Sequence, residues 1–409
     1  MWTWSIWAAS LLQMAGTSVV TDHLSEPGGD PDGLMAAFWN GTAHFERVST
    51  FLIPITPTWN WGQDVGQQFV ATNDGTWYMF HRKFNAGPFP TECPNKDNNP
   101  WNCGQVVRSS TDEGKSWSNY TVIAEPTNGR PDDCTLTDGG AYYDAQNMTW
   151  HYLSQCMGTT FSGWGMCHYS RKGQTPLGLF TPNPHNPVVR GGQLFGSICG
   201  GAGKHCPIGT HDEGTPQIVF KDLNGNFWVT FHGATPSNGG VRGVATTKDF
   251  VTWQTAGDGL PNDVIFSNTD CSKDRGWQYN GTAYSCCGGG EGSIIRSGYW
   301  MYHLIEVPQN GLSCGGYNPW PLALVRSQWF APSGQWEQYP DLEPIVVPLN
   351  PTGCFIQYHR LFYDPFRRAI YVEYWTMADN GTMEVFKLVP GKGSLPIVAG
   401  RDLRSAQLP

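Results

Sequence analysis

The chain has 409 residues, with 25 Lys and Arg against 34 Asp and Glu, for a formal net charge of −9. So sparse a basic field excludes a general DNA- or RNA-binding surface, because affinity for a phosphate backbone comes from clustered Lys and Arg. With 50 Gly, 30 Pro and 13% aromatic residues, and no long amphipathic helical stretch, the composition predicts an all-β protein of short strands and many turns with little helix.

Residues 1–16 form an apolar stretch too short for a membrane span, followed by small residues at Thr17 and Ser18, so residues 1–18 read as a signal peptide. The even count of 12 Cys shows no repeated zinc spacing, and disulfides are the simpler account. Cys93/Cys103, Cys156/Cys167 and Cys199/Cys206 are near enough in sequence to close loops. Glycosylation sequons stand at Asn40, Asn119, Asn147, Asn280 and Asn380, which fits passage through a secretory pathway. The expectation is a secreted, extracellular, monomeric protein with no membrane attachment after signal removal. Large all-β folds reach this length as one unit, so residues 19–409 are expected to form a single domain.

Five strand–turn–strand patterns follow in chain order, at residues 67–80, 139–152, 217–231, 293–303 and 360–374. Turn signals such as Asn-Asp-Gly, Asn-Gly and Ser-Gly stand between the apolar runs, so these segments read as β-hairpins. After the first, third and fourth, a strand ends in a polar turn that returns through Trp117, Trp253 and Trp336. Five such units predict a five-bladed β-propeller with long disulfide-stabilised loops. A β-sandwich or two β-domains is the alternative.

The first polar turn, Ser-Thr-Asp-Glu-Gly-Lys-Ser-Trp over residues 110–117, resembles the Asp-box of sialidases, and residues 247–253 look like a shortened copy. In the families that use it this turn is structural, so Asp112 is expected to hydrogen-bond turn amides while Trp117 packs between sheets.

Acidic residues stand just before three of the hairpins: Asp64 before the first, Asp212 and Glu213 before the third, and Glu291 before the fourth. Each is a candidate turn cap or ion-pair partner on its own. As a set they match glycosidic hydrolysis, in which one carboxylic acid protonates the leaving oxygen and a second carboxylate activates water or attacks carbon. A third acid can hold the other two in different protonation states.

This placement resembles the five-bladed glycoside hydrolase superfamily that includes family 43 arabinanases, arabinofuranosidases and xylosidases. Glu291-Gly292-Ser293 and the apolar run after it are similar to that superfamily's acid-bearing segment, and residues 215–225 to its modulator blade. The resemblance implies Asp64 as base, Asp212 or Glu213 as modulator and Glu291 as acid. The sequence departs from the pattern in Val65, where Pro follows the base, and in Ser293, where Pro follows Glu-Gly.

Trp59, Trp61 and Trp164 lie in Gly-rich, strand-poor segments and are candidate sugar platforms. His81, Arg82, Arg296, His303, His359 and Arg360 are candidate substrate-binding residues. Several guanidinium groups facing one cavity would suit an acidic sugar, and His211 or His81 would then serve as base in a polysaccharide lyase, the alternative activity. A non-catalytic glycan-binding propeller is the third reading. An oligo- or polysaccharide is the expected partner, and no cofactor is required. By analogy with some arabinanases a structural calcium would sit near His359, although no specific Ca or Zn cluster is present in the sequence.

Overall fold

The structure is a computed structural model. It describes residues 29–52, 66–84, 103–127, 129–130, 132–159, 164–194, 213–235, 238–255, 260, 264–267, 277–279, 282–284, 288–306, 321–332, 334–340, 345–348, 356–376, 382–393 and 397–399. The signal peptide expected over residues 1–18 lies outside them, as do Cys93, Cys199 and Cys206.

Five sheets form five blades, each built outward from an inner strand; their pairing is antiparallel except at the outer edge of the fourth blade, where Val346–Pro348 and Ile397–Ala399 run parallel. The inner strands are Gly66–Ala71, Thr135–Asp144, Glu213–Lys221, Gly288–Ser297 and Ile356–Asp364 for the first to fifth blades. Each neighbours the next, and the fifth returns to the first, so the sheets close a ring around a central axis. Each inner strand turns back into the second strand of its blade, namely Trp77–Phe84, Thr149–Met157, Phe227–Thr235, Trp300–Glu306 and Ala369–Thr376. These five pairs are the hairpins expected from the sequence. The ring rules out the sandwich alternative. Helix is confined, among the described residues, to Met35–Trp39.

Closure uses the two ends of the described chain. Ala43–Leu52 is the outermost strand of the fifth blade and pairs antiparallel with Thr382–Pro390. Arg47 reinforces the seam with a 2.6 Å ion pair to Glu384. This pairing completes the last blade with a strand from the amino-terminal side of the first, so the chain itself ties the fifth blade to the first.

The core sits between blades, where apolar residues of facing sheets meet. Tyr78, Phe80, Trp150 and Tyr152 fill the junction of blades one and two, and Leu153, Ile218, Val229 and Phe231 the junction of two and three. Phe69, Trp77, Phe362 and Tyr371 fill the junction of one and five, with Phe69 and Phe362 stacked at 5.3 Å. Side-chain amides and hydroxyls then act as local strand partners. Gln217 donates to Ile294 O at 2.9 Å and accepts from Ile294 N–H at 2.8 Å. Ser293 Oγ accepts from Leu361 N–H at 2.9 Å. Each such bond satisfies a backbone group that the inner strand leaves unpaired on its blade-to-blade side.

The turn at residues 110–117 lies at the far end of the first blade from the start of its inner strand. Asp112 accepts from Ser116 N–H at 3.0 Å, Ser110 Oγ accepts from Gly114 N–H at 3.0 Å, and Trp117 Nε1 donates to Gly114 O at 3.1 Å. Trp117 meets Phe69 at 5.7 Å. In the third blade Asp249 accepts from the Val251 and Thr252 amides at 2.8 and 2.7 Å. The Cys156–Cys167 disulfide ties the second and third strands of the second blade.

Candidate active site

All five inner strands lose register with their second strands near the end where they begin. The irregularities fall between Gly66 and Gln68, Leu136 and Gly139, Gly214 and Gln217, Gly288 and Gly292, and Gln357 and His359. A bulge bends a strand and re-aims the side chains beside it. All five bulges fall at one end of the ring, called the mouth below, with Asp138, Thr215, Glu291 and Tyr358 at bulged positions. Thr215 and Tyr358 have positive φ, 38° and 58°, in a region that non-glycine residues seldom occupy.

An acid followed by glycine recurs at three of these starts: Asp138-Gly139, Glu213-Gly214 and Glu291-Gly292. The glycines are needed for close packing. A Cβ at 139 would collide with the Tyr152 hydroxyl, one at 214 with the Gln155 amide, and one at 292 with His303 Nε2. Glu291 is carried on the inner strand of the fourth blade, within its bulge. Glu213 is fully buried and accepts from Leu194 N–H at 2.7 Å, which anchors the segment leading out of the second blade. Asp64, Asp212, Trp59, Trp61 and His211 lie outside the described residues.

Three fully buried arginines brace the mouth. Arg82, from the second strand of the first blade, donates from Nη1 to Asp138 Oδ1 at 2.9 Å and lies 5.0 Å over the Tyr358 ring. Arg242, from the third strand of the third blade, donates to Thr215 Oγ1 at 3.0 Å and holds the left-handed turn there. Arg360, on the fifth blade, donates to Gly292 O at 3.4 Å. Gln105 fastens the second bulge by donating to Leu136 O at 2.8 Å and to Thr137 O, and Tyr152 donates to it at 2.6 Å.

The histidines are neutral and structural in their contacts. His81 Nδ1 bonds Arg82 O at 3.1 Å and Nε2 accepts from Arg108 Nε at 3.2 Å. Burial, then the Arg108 charge, pushes its pKa down to about 3. Both ring nitrogens are thus engaged, and the geometry does not leave His81 available as a base. His359 donates from Nε2 to Leu304 O at 3.0 Å, joining blades five and four; burial pushes its pKa down to about 3. His303 is buried beside Gly292 and meets Trp336 edge-on at 5.5 Å. Burial and the Arg242 charge push its pKa well below the usual histidine value.

Arg296 does not come to the mouth. It pairs opposite Met301 next to the hairpin turn, at the other end of its strand, because a strand advances about 3.3 Å per residue and carries it away from Glu291. Trp164 does lie at the mouth end of the second blade, packed on Cys134 and Met157. Asp138 and Arg242 were not among the sequence candidates. The acid-Gly dipeptide shared with Glu213 and Glu291 is the signal that identifies Asp138; Arg242 has none, since its role depends on the neighbouring blade. Among the described residues no group of three His, Cys, Asp or Glu is placed to hold a metal, and no helix is long and apolar enough to cross a membrane.

No protein-family model and no curated protein matches the chain. Solved structures do. A complex of BT0996 with RGII aligns with 90% of this chain and 98% of its own at a TM-score of 0.54 and 11% identity. A glycoside hydrolase aligns over 90% and 97% at 0.54 and 11%. Zg3597, a family 117 glycoside hydrolase from the marine bacterium Zobellia galactanivorans, aligns over 90% and 99% at 0.50 and 12%. At these identities the likeness is one of architecture, and the chain has a five-bladed β-propeller fold similar to that of these solved structures.

Proposed function

We propose that the chain is a secreted glycoside hydrolase acting on a plant or microbial polysaccharide or its side chains. The observation that carries this reading is the convergence of five strand bulges at one mouth, with an acid-Gly pair at three of them. Glycosidic hydrolysis needs carboxyl groups from different directions around one bond, and a propeller mouth collects groups from separate blades. Glu291 protonates the departing sugar oxygen, and Asp64 activates water or attacks the anomeric carbon. A carboxyl separation of about 5–5.5 Å would give retention and about 6.5–9.5 Å inversion. Glu213, held by Leu194 N–H, serves as a brace, leaving the modulating role to Asp212.

Of the two candidate lyase bases, His81 has its imidazole engaged on both sides, which takes one of them away from a lyase mechanism; His211 lies outside the described residues. The test is incubation of the purified protein with neutral and acidic glycans, with product analysis. New reducing ends without an unsaturated uronate support hydrolysis. An unsaturated uronate product would move the assignment to a lyase, and binding without product would leave a glycan-binding propeller.

A further inference from the structure

Three of the five glycosylation sequons fall on described residues, and all three stand at the end of the propeller opposite the mouth. Asn147 lies in the hairpin turn between Asp144 and Thr149, where the inner strand of the second blade turns back. Asn119 follows the turn at residues 110–117, next to Ser118, whose N–H donates to Ser109 O at 2.9 Å. Ser109 and Ser110 pair with Tyr78 and Trp77, at the hairpin-turn end of the first blade. Asn40 closes the helix Met35–Trp39 and leads to Ala43, which pairs with Pro390 at the same end of the fifth blade. All three asparagines are exposed, and Met148, the middle residue of one sequon, is 56% exposed. Asn280 and Asn380 lie outside the described residues.

We propose that Asn40, Asn119 and Asn147 carry N-linked glycans, which puts this sugar on the end of the propeller away from the mouth. The proposal rests on the secretion part of the proposed function, since the donor is a lipid diphosphate-linked oligosaccharide of the secretory pathway. The amide nitrogen bonds to the anomeric carbon of the first sugar, the bond from that carbon to the diphosphate oxygen breaks, the amide gives up one proton, and the lipid diphosphate leaves. Each sequon has Thr as its third residue and no Pro between, as the acceptor pattern requires. At Asn147 the fold accommodates the change. Its Nδ2 donates to Asp144 Oδ2 at 2.7 Å, and a glycosylated amide keeps one N–H. Asp144 also accepts from Lys221 Nζ at 2.8 Å, so the carboxylate stays partnered in either case. Large apolar side chains stand exposed at the hairpin turns of this end, namely Met148, Leu223, Tyr299 and Phe366. Sugar on Asn147 places a bulky hydrophilic group beside the first of them.

The test expresses the full chain, its own residues 1–18 included, in a eukaryotic host and collects the protein from the medium. Peptide N-glycosidase in heavy-oxygen water then converts each modified Asn to oxygen-labelled Asp, which peptide mass spectrometry locates. Label at positions 40, 119 and 147 is the expected result, and it is read on the wild type, so it does not depend on any variant folding. Asn40→Gln, Asn119→Gln and Asn147→Gln should each lower the mass of the secreted protein by one glycan. In secreted protein, absence of label from these three positions overturns the glycan assignment, whatever Asn280 and Asn380 carry, and leaves the secretion reading standing. A chain retained inside the cell with all three positions unlabelled overturns the secretion reading and the glycans with it.

Discussion

Arg242 of the third blade lies directly against Gly292 at the start of the fourth: a Cβ at position 292 would stand 3.2 Å from Arg242 Nε and 2.5 Å from His303 Nε2. Neither neighbour can retreat freely, since Arg242 is fully buried and bonded to Thr215 and His303 is fully buried. The backbone that carries Glu291 is therefore set by contact with two other side chains. Gly292→Ala is expected to destabilise the protein by about 1–3 kcal/mol, the usual range for overpacking. It should also lower activity beyond the loss of folded protein. Urea denaturation alongside turnover of folded material checks both; a variant of wild-type stability would show that the strand accommodates the methyl.

A pair of imidazoles between blades two and three predicts acid sensitivity. His151 Nδ1 and His168 Nε2 are 3.1 Å apart, and the Asn183 amide lies 3.3 Å from His168 Nδ1. The Asn183 oxygen accepts from His185 N–H at 2.9 Å, so its amide faces His168 as donor. His168 Nδ1 then accepts, Nε2 donates to His151, and both rings are neutral. Burial pushes the His151 pKa down to about 4, with Asp144 opposing and Lys221 assisting; burial and His151 hold His168 well below its ordinary value. With the folded pKa values depressed, the unfolded chain binds more protons below about pH 6.5. Stability is thus fully present above that pH and falls as the pH drops toward 4. His151→Gln should reduce the slope of unfolding free energy against pH in this window by up to about 1.4 kcal/mol per pH unit, one proton's worth. An unchanged slope would show that other groups set the acid limb.

The Cys156–Cys167 bond closes a loop with a sequence separation of 11. Chain-entropy arguments give about 3 kcal/mol for a loop of this size. Replacing both cysteines with Ala should lower stability by about 2–3 kcal/mol and loosen the connection that carries Trp164. Denaturant midpoints and protease nicking of residues 158–165 report the two effects separately.

The hairpins were legible in the sequence because their information is local. Asn-Asp-Gly before Trp77 and Asn-Gly before Asn226 and Phe227 specify turns whatever the rest of the chain does, and the five pairs fall where the alternation places them. The closing strand was not legible. Ala43 meets Pro390 and Leu52 meets Thr382, a pairing across more than 300 residues that no short pattern encodes. The site divides in the same way. Glu213, Glu291, Arg82, His303, His359 and Arg360 announce themselves by residue type beside a hairpin. Which of them face the mouth depends on the bulges, and those arise from contacts between blades. Arg296 shows the limit most plainly: five residues beyond Glu291 on one strand, it ends up beside the opposite turn. Arg242 shows the converse, a residue with no local signal whose place is fixed by Thr215 and Gly292.

Glu291→Gln keeps the shape of the side chain and removes the acid, so it isolates proton donation to the leaving sugar oxygen. The measurement is the turnover number of folded wild type and Glu291→Gln on the glycan the wild type cleaves. Proton donation by Glu291 predicts a loss of about 100-fold or more, the usual order for general acid participation; near-wild-type turnover in folded Glu291→Gln would show that another group donates the proton.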